Sequence, residues 1–138
     1  MWRAQYEMVT DVPASALHRA IADVNNWPTW DAGLEYTHLE GQAKPGASFV
    51  LKPKGGPKVH MSIDEVRPYV LVDTAHLLGA KMTTTHEYVQ KGNQTTIRFG
   101  IEMRGPLGFL WRKVVGERQI KEAPAQLAAF VTYVRSGT

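Results

Sequence analysis

Hydrophobic and polar positions alternate from the first residues. Trp2, Ala4, Tyr6 and Met8 fall on one side of residues 2–10, and Arg3, Gln5, Glu7 and Val9 on the other. A period of two predicts a half-buried strand. Asp11 to Ala14 then reads as a helix start, with Pro13 in the first turn, where its missing N–H costs nothing. Ala16, Leu17, Ala20, Ile21 and Val24 follow at helical spacing. Asn25 and Asn26 end that helix, and Trp27-Pro28-Thr29-Trp30-Asp31 reads as a compact second helix or turn.

From residue 33 to 104 the pattern changes to short alternating runs. Strands are predicted over 34–40, 47–53, 58–66, 69–77, 81–90 and 94–104. They are separated by Lys44-Pro45-Gly46, Lys54-Gly55-Gly56-Pro57, Arg67-Pro68, Leu78-Gly79 and Lys91-Gly92-Asn93. Connections this short imply antiparallel hairpins. After Gly105-Pro106 the period becomes helical again. Leu107, Leu110, Trp111, Val114 and Val115 form one apolar stripe, and Ala123, Leu127, Phe130 and Val134 another. The spacing predicts one long helix over about 106–135, bent or broken once, with Pro124 as the expected kink. Its middle, from Gly116 to Glu122, is mostly polar. That stretch either faces solvent or lifts off the sheet beside a cavity mouth.

The predicted fold is therefore α+β: a curved seven-stranded antiparallel sheet wrapped around a long C-terminal helix, with two short helices after the first strand. Seven strands cannot bury their apolar face alone, and only the last helix is large enough to cover it. Such an arrangement tends to enclose a cavity. An apolar pocket of about 300 Å3 or more is expected between helix and sheet.

Composition narrows the chemistry. The 138 residues, 15.4 kDa, predict a single domain over 1–138. With no cysteine, disulfides, thiolate metal sites and a thiol nucleophile are excluded. The net charge of +3 is spread thinly. Its local excesses, Lys52, Lys54 and Lys58, then Arg112, Lys113, Arg118 and Lys121, read as solvated surface, so no nucleic-acid partner is expected. No apolar run approaches a membrane span, and residues 1–8 lack the apolar core of a signal peptide, so a cytoplasmic location without integral membrane association is expected. His18, His38, His60, His76 and His86 lie on five separate elements without zinc-like spacing, so no metal is expected. No phosphate-cradling glycine motif or nucleophile elbow occurs, and no cofactor is expected.

Strand faces sort the polar candidates. Over 58–66, Val59, Met61 and Ile63 share the apolar face, which sends His60, Ser62 and Asp64 to the solvated one. Over 94–104, Ile97, Phe99, Ile101 and Met103 face inward, and Arg98 and Glu102 outward. Over 81–90, Met82, Thr84, His86 and Tyr88 share one face. If that face is inward, Thr84 and His86 orient a ligand, or His86 transfers protons near neutral pH; alternatively the imidazole is bonded within the sheet. Tyr6, Tyr36 and His38 are further candidates, placed on the faces of Met8 and Leu34. Trp27 and Trp30 are either a plug fixing the helices or a gate.

Several short motifs, in order and spacing, resemble the START-like helix-grip superfamily and its polyketide cyclase/dehydrase and lipid-transport branch. They are Val12-Pro13-Ala14-Ser15, Ala22-Asp23 running into Trp27-Pro28-Thr29-Trp30-Asp31, Gly41 with Pro45-Gly46, Ile63 to Pro68, and Gly105-Pro106-Leu107-Gly108. The resemblance implies non-covalent binding of a hydrophobic or amphipathic small molecule, such as a lipid, polyketide or aromatic metabolite; a monomer or homodimer is expected. The expected contacts are Tyr6, Trp30, Tyr36, Met61, Ile63, Met82, Thr84, His86 and Tyr88, with Phe99, Ile101, Leu127 and Val131. An alternative is an aromatase/cyclase-like enzyme with His86 as its proton-transfer group and Tyr88 or Thr84 orienting a carbonyl. A third reading is a protein-interaction or stress-related module.

Overall fold

The computed structural model describes residues 1–137. Its strands are β1 (Trp2–Thr10), β2 (Leu34–His38), β3 (Ser48–Pro53), β4 (Val59–Arg67), β5 (Val70–Leu77), β6 (Ala80–Lys91) and β7 (Gln94–Arg104). They form one sheet in the order β1-β7-β6-β5-β4-β3-β2, and every neighbouring pair is antiparallel. The hairpins run in sequence from β2 to β7, and β1 closes the far edge against β7. Helix α1 (Ala14–Ala22), a single 3-10 turn (Val24–Asn26) and α2 (Trp27–Trp30) follow β1. Pro13 precedes α1, and its carbonyl accepts the N–H groups of Ala16 and Leu17.

Register sets two inward rows across the sheet. One runs Tyr6, Phe99, His86, Leu71; the other Ala4, Ile101, Thr84, Asp73, Ile63. The C-terminal helix lies over this concave face. Ala123, Leu127, Phe130, Val131 and Val134 are buried in one core with Ile63, Phe99 and Ile101. The Phe130 ring stacks 6.3 Å from Tyr88 and sits 4.7 Å from Trp30.

Two expectations need correction, and one pair of alternatives is decided. The helix is interrupted before Pro124, not at it: α3 (Gly108–Trp111) passes through a π-helical turn (Arg112–Gly116) into α4 (Glu117–Ser136), which continues through Pro124. Pro124 is exposed, and it supplies no N–H to the Ile120 carbonyl. The π turn instead carries Gly116 onto the indole of Trp2, where a Cβ would meet a ring carbon at 2.5 Å. The polar middle of the helix does not lift off. Gly116 and Ala123 are buried and Ile120 half-buried, while Glu117, Arg118, Lys121 and Glu122 face solvent.

The second correction is in β2. A bulge between Leu34 and Tyr36 shifts the register. An extra residue reverses which side chains face inward beyond it. Thr37, not Tyr36 or His38, therefore joins Leu34 on the inner face, and its hydroxyl donates to the Val24 carbonyl at 2.6 Å. Tyr36 is only half-buried, and His38 is exposed beside Glu40 at 3.5 Å.

Candidate functional site

Among the described residues the concave face carries a carboxylate–imidazole contact in apolar surroundings. His86 Nε2 lies 3.0 Å from Asp73 Oδ2, with both side chains nearly removed from solvent. The imidazole comes from β6, where the period-two set Met82, Thr84, His86, Tyr88 does face inward. The carboxylate comes from β5, and the sequence reading passed over it. Val70, Leu71 and Val72 are consecutive apolar residues, which conceals the phase of that strand. Counting back from Ala75 and Leu77 in steps of two would have exposed Asp73 as an inward carboxylate.

The ring is held among aromatics. Its centroid lies 6.2 Å from that of Trp27 and 6.0 Å from that of Phe99. Trp27 is itself fixed, since its indole N–H donates to the Ile21 carbonyl at 2.9 Å and its ring meets Phe49 edge-on at 5.5 Å. That placement makes Trp27 a plug. Trp30 is half-buried, and its indole nitrogen is buried without a hydrogen-bond partner. Thr84 is buried opposite Asp73 in the ladder. Tyr88 is buried near the same carboxylate; burial first, then the Asp73 charge, pushes its phenol well above the ordinary range. The phenol therefore stays a neutral O–H donor at any physiological pH.

Together these groups offer an imidazole positioned by a carboxylate, a permanently protonated phenol and a hydroxyl, all on an apolar wall. The carboxylate fixes the ring's orientation through Nε2, which positions the imidazole for a proton transfer at its other nitrogen. His86 Nδ1 is the nitrogen turned away from Asp73. Just after α2, beside the middle of α4, Asp31 accepts from Gln126 at 2.6 Å and from the Gly33 N–H at 3.0 Å. Burial raises its carboxyl above the usual range despite these bonds.

Met61, Ile63, Phe99, Ile101, Leu127 and Val131 were expected to line an open pocket. They are only 1–6% exposed and pack against one another in the core, together with Met82. Tyr6 is half-buried at the β1 edge. Two concavities of the described residues lie elsewhere. One, of about 510 Å3, is a groove on the outer face over Gly100, between Arg3, Gln5, Thr83, Thr85 and Glu102. The other, of about 370 Å3, lies beside Arg19, Asp23, Asn25 and Leu39. The interior pocket is not among them.

His60, Ser62 and Asp64 lie on the outer face as expected. Ser62 Oγ is 2.8 Å from His76 Nε2 and also bonds Asp64, which accepts from Thr74 as well. Asp64 thus contacts the hydroxyls and not the imidazole, so the cluster does not make a nucleophile–base–acid relay. Among the described residues no group of three or more His, Asp or Glu is arranged to hold a metal ion.

The family profile described as polyketide cyclase / dehydrase and lipid transport matches residues 1–135. No curated protein matches the chain in sequence. Solved structures share the fold at low identity. Protein MLL2253 from Mesorhizobium loti is 16% identical with a TM-score of 0.77, covering 99% of this chain and 98% of that one. Norcoclaurine synthase from Thalictrum flavum, in complex with dopamine and hydroxybenzaldehyde, is 16% identical with a TM-score of 0.75, covering 99% and 88%. The di-domain ARO/CYC BexL is 17% identical with a TM-score of 0.71, and the match covers 94% of this chain and 45% of that one.

Proposed function

This chain belongs to the polyketide cyclase / dehydrase and lipid transport family, and from that premise we propose that it binds an amphipathic small molecule between the concave sheet face and α4. The ligand's polar end meets the Asp73–His86 pair. That contact is the observation carrying the proposal. A buried carboxylate–imidazole contact seldom stabilises a fold more than apolar residues of the same size would. A paired carboxylate and imidazole in an otherwise apolar wall therefore favour a binding role, as strongly placed titratable groups do generally. The ligand class is a lipid-, polyketide- or aromatic-type molecule with a carbonyl or hydroxyl for His86 and Tyr88. Because the core side chains fill the space, the ligand enters by displacing them. Leu51 and Val59 are register partners, half-buried where β3 meets β4, and offer a boundary for that displacement.

Native mass spectrometry of the freshly purified protein tests this. A copurifying lipophilic mass is expected, together with saturable binding of an environment-sensitive apolar dye that His86→Ala weakens. Absence of both a bound mass and saturable dye binding would defeat the reading.

The same contact supports a second reading, an aromatase/cyclase-like enzyme. His86, oriented by Asp73, removes a proton from a poly-β-keto chain while the Tyr88 phenol donates to the carbonyl oxygen. Loss of the imidazole then costs about a hundredfold or more in turnover. In a carrier the same change costs only about 1 kcal/mol of ligand affinity, the worth of one hydrogen bond. Turnover of a poly-β-keto thioester analogue by the wild type and His86→Ala separates the two.

A further inference from the structure

Large apolar side chains left in solvent are not scattered over this protein. Among the described residues seven are well exposed, and five of them, Met1, Leu78, Phe109, Leu110 and Val114, lie at one end, each 48–80% exposed. The fold brings them there from three parts of the chain. Trp2 pairs with Met103, which sets Met1 at the end of the sheet where β7 leaves for α3. Leu78 lies in the β5–β6 turn, and its carbonyl accepts the Trp111 indole N–H at 2.8 Å. Leu107 seals the same junction. Its N–H donates to the Gly79 carbonyl at 2.9 Å, and its side chain sits where a Cβ on Gly79 would fall. Gly79 is held at φ 69, which glycine alone adopts freely.

The charge at this end is of one sign. Residues 74–86 and 103–116 contain no Asp or Glu. Lys81 and Arg104 are register partners and both exposed, and Lys113 is exposed on the π turn. None of the three is in any of the ion pairs found among the described residues, whereas Arg3, Arg67, Arg98, Arg112, Arg118 and Arg135 each meet a carboxylate. The acidic groups nearest this end, Glu102 and Glu117, are taken by Arg3 and Arg112.

Exposed aliphatic and aromatic side chains ringed by uncompensated cations match the boundary of an anionic bilayer, where the apolar groups enter the acyl region and the cations meet headgroup phosphates. A nucleic acid would satisfy the cations but leave Leu78, Phe109 and Val114 in water. We propose that this end of the protein docks peripherally on anionic membranes, through Leu78, Phe109, Leu110 and Val114 with Lys81, Arg104 and Lys113. Among the described residues no helix is long and apolar enough to cross a membrane, and the proposed contact is a surface one. It is independent of the Asp73–His86 site.

Flotation of the full chain with vesicles tests the surface. Binding is expected to a phosphatidylcholine–phosphatidylglycerol mixture, weakly or not at all to phosphatidylcholine alone, and to fall with added salt. Each of Lys81→Ala, Arg104→Ala and Lys113→Ala should lower partitioning roughly fivefold. Leu78→Glu with Phe109→Glu should abolish it while leaving the circular dichroism spectrum and the apolar-dye affinity unchanged. Absence of anionic-vesicle binding overturns the proposal. So does vesicle binding indifferent to the Leu78/Phe109 change, retention on an oligonucleotide without vesicle binding, or a dimer in sedimentation that the same change dissociates.

Discussion

Asp73 and His86 meet diagonally across the β5–β6 ladder: the carboxylate's register partner is Thr84 and the imidazole's is Leu71, yet Oδ2 and Nε2 are 3.0 Å apart. A direct cross-strand pair would place both groups in one row. The diagonal lets the imidazole reach over while Trp27 and Phe99 flank its ring. The polar contact is thus enclosed by rings, which raises both its strength and the cost of losing either partner.

Removing one partner should be far worse than removing both. Asp73→Leu or His86→Leu alone leaves a buried polar group without its mate and is expected to cost about 3–5 kcal/mol. The double leucine variant should recover most of that loss, because an apolar pair of similar size suits the surrounding wall. Urea denaturation of the four proteins reads the coupling. Additive losses would show that the contact is not energetically linked.

Much of this arrangement is legible in the sequence, and the failures have specific causes. Period-two alternation placed Met61, Ile63, Phe99, Ile101 and the Met82–Tyr88 set inward because those strands each have one apolar and one polar face. It failed at Tyr36 and His38, where the single extra residue of a bulge reverses the phase with no local signal. It missed Asp73, because a strand apolar on both faces announces no orientation. The helix interruption was sought at Pro124, whereas the backbone adjusts where Gly116 must pass Trp2. Side-chain closure of the interior cannot be read from patterning at all, since period says which way a residue points and not how far its neighbours pack onto it.

His18 should give stability an acid-sensitive component. Its Nδ1 is buried without a hydrogen-bond partner, its ring meets Tyr69 edge-on at 6.1 Å, and burial lowers its pKa below 6.5. Above pH 6.5 both folded and unfolded states hold it neutral, so it contributes no pH dependence. As pH falls below 6.5 the unfolded state takes up a proton that the folded state resists, and stability declines until the lowered folded pKa is passed. Asp31 acts in the opposite sense at lower pH: its raised carboxyl pKa makes ionisation unfavourable in the fold, and that cost is relieved as pH falls through the raised value toward 3.8. His18→Leu should therefore flatten the decline just below pH 6.5 and raise stability at pH 7 by about 1 kcal/mol through loss of the unsatisfied nitrogen. An unchanged slope in thermal melts across that range would remove His18 as its source.

Gly116 should be intolerant of any side chain while Trp2 is present. A Cβ there would fall 2.5 Å from the indole, and Arg112 already covers that ring at 5.4 Å, so the tryptophan has little room to retreat. Gly116→Ala is expected to cost about 1–3 kcal/mol by overpacking. In a Trp2→Val background the same change should cost far less. Equal losses in both backgrounds, read by denaturant midpoints, would place the strain elsewhere.

Phe130→Ala offers the most direct test of whether the filled interior is a closed ligand site or only a core. Phe130 is fully buried, with Trp30 on one side and Tyr88 on the other, a short step from Asp73 and His86. Truncation should cost about 3–5 kcal/mol, from lost burial and the cavity left behind. If ligands normally enter by displacing side chains here, the wild type spends part of its binding energy on that displacement. The variant spends less, so it should bind an apolar dye more tightly than the wild type although it is less stable, and adding Asp73→Asn should weaken dyes that carry a carbonyl more than purely hydrocarbon ones. Fluorescence titration at a temperature where the variant remains folded measures both effects. A variant that is merely destabilised, with dye affinity no higher than the wild type's, would mean that the space beneath α4 serves packing alone.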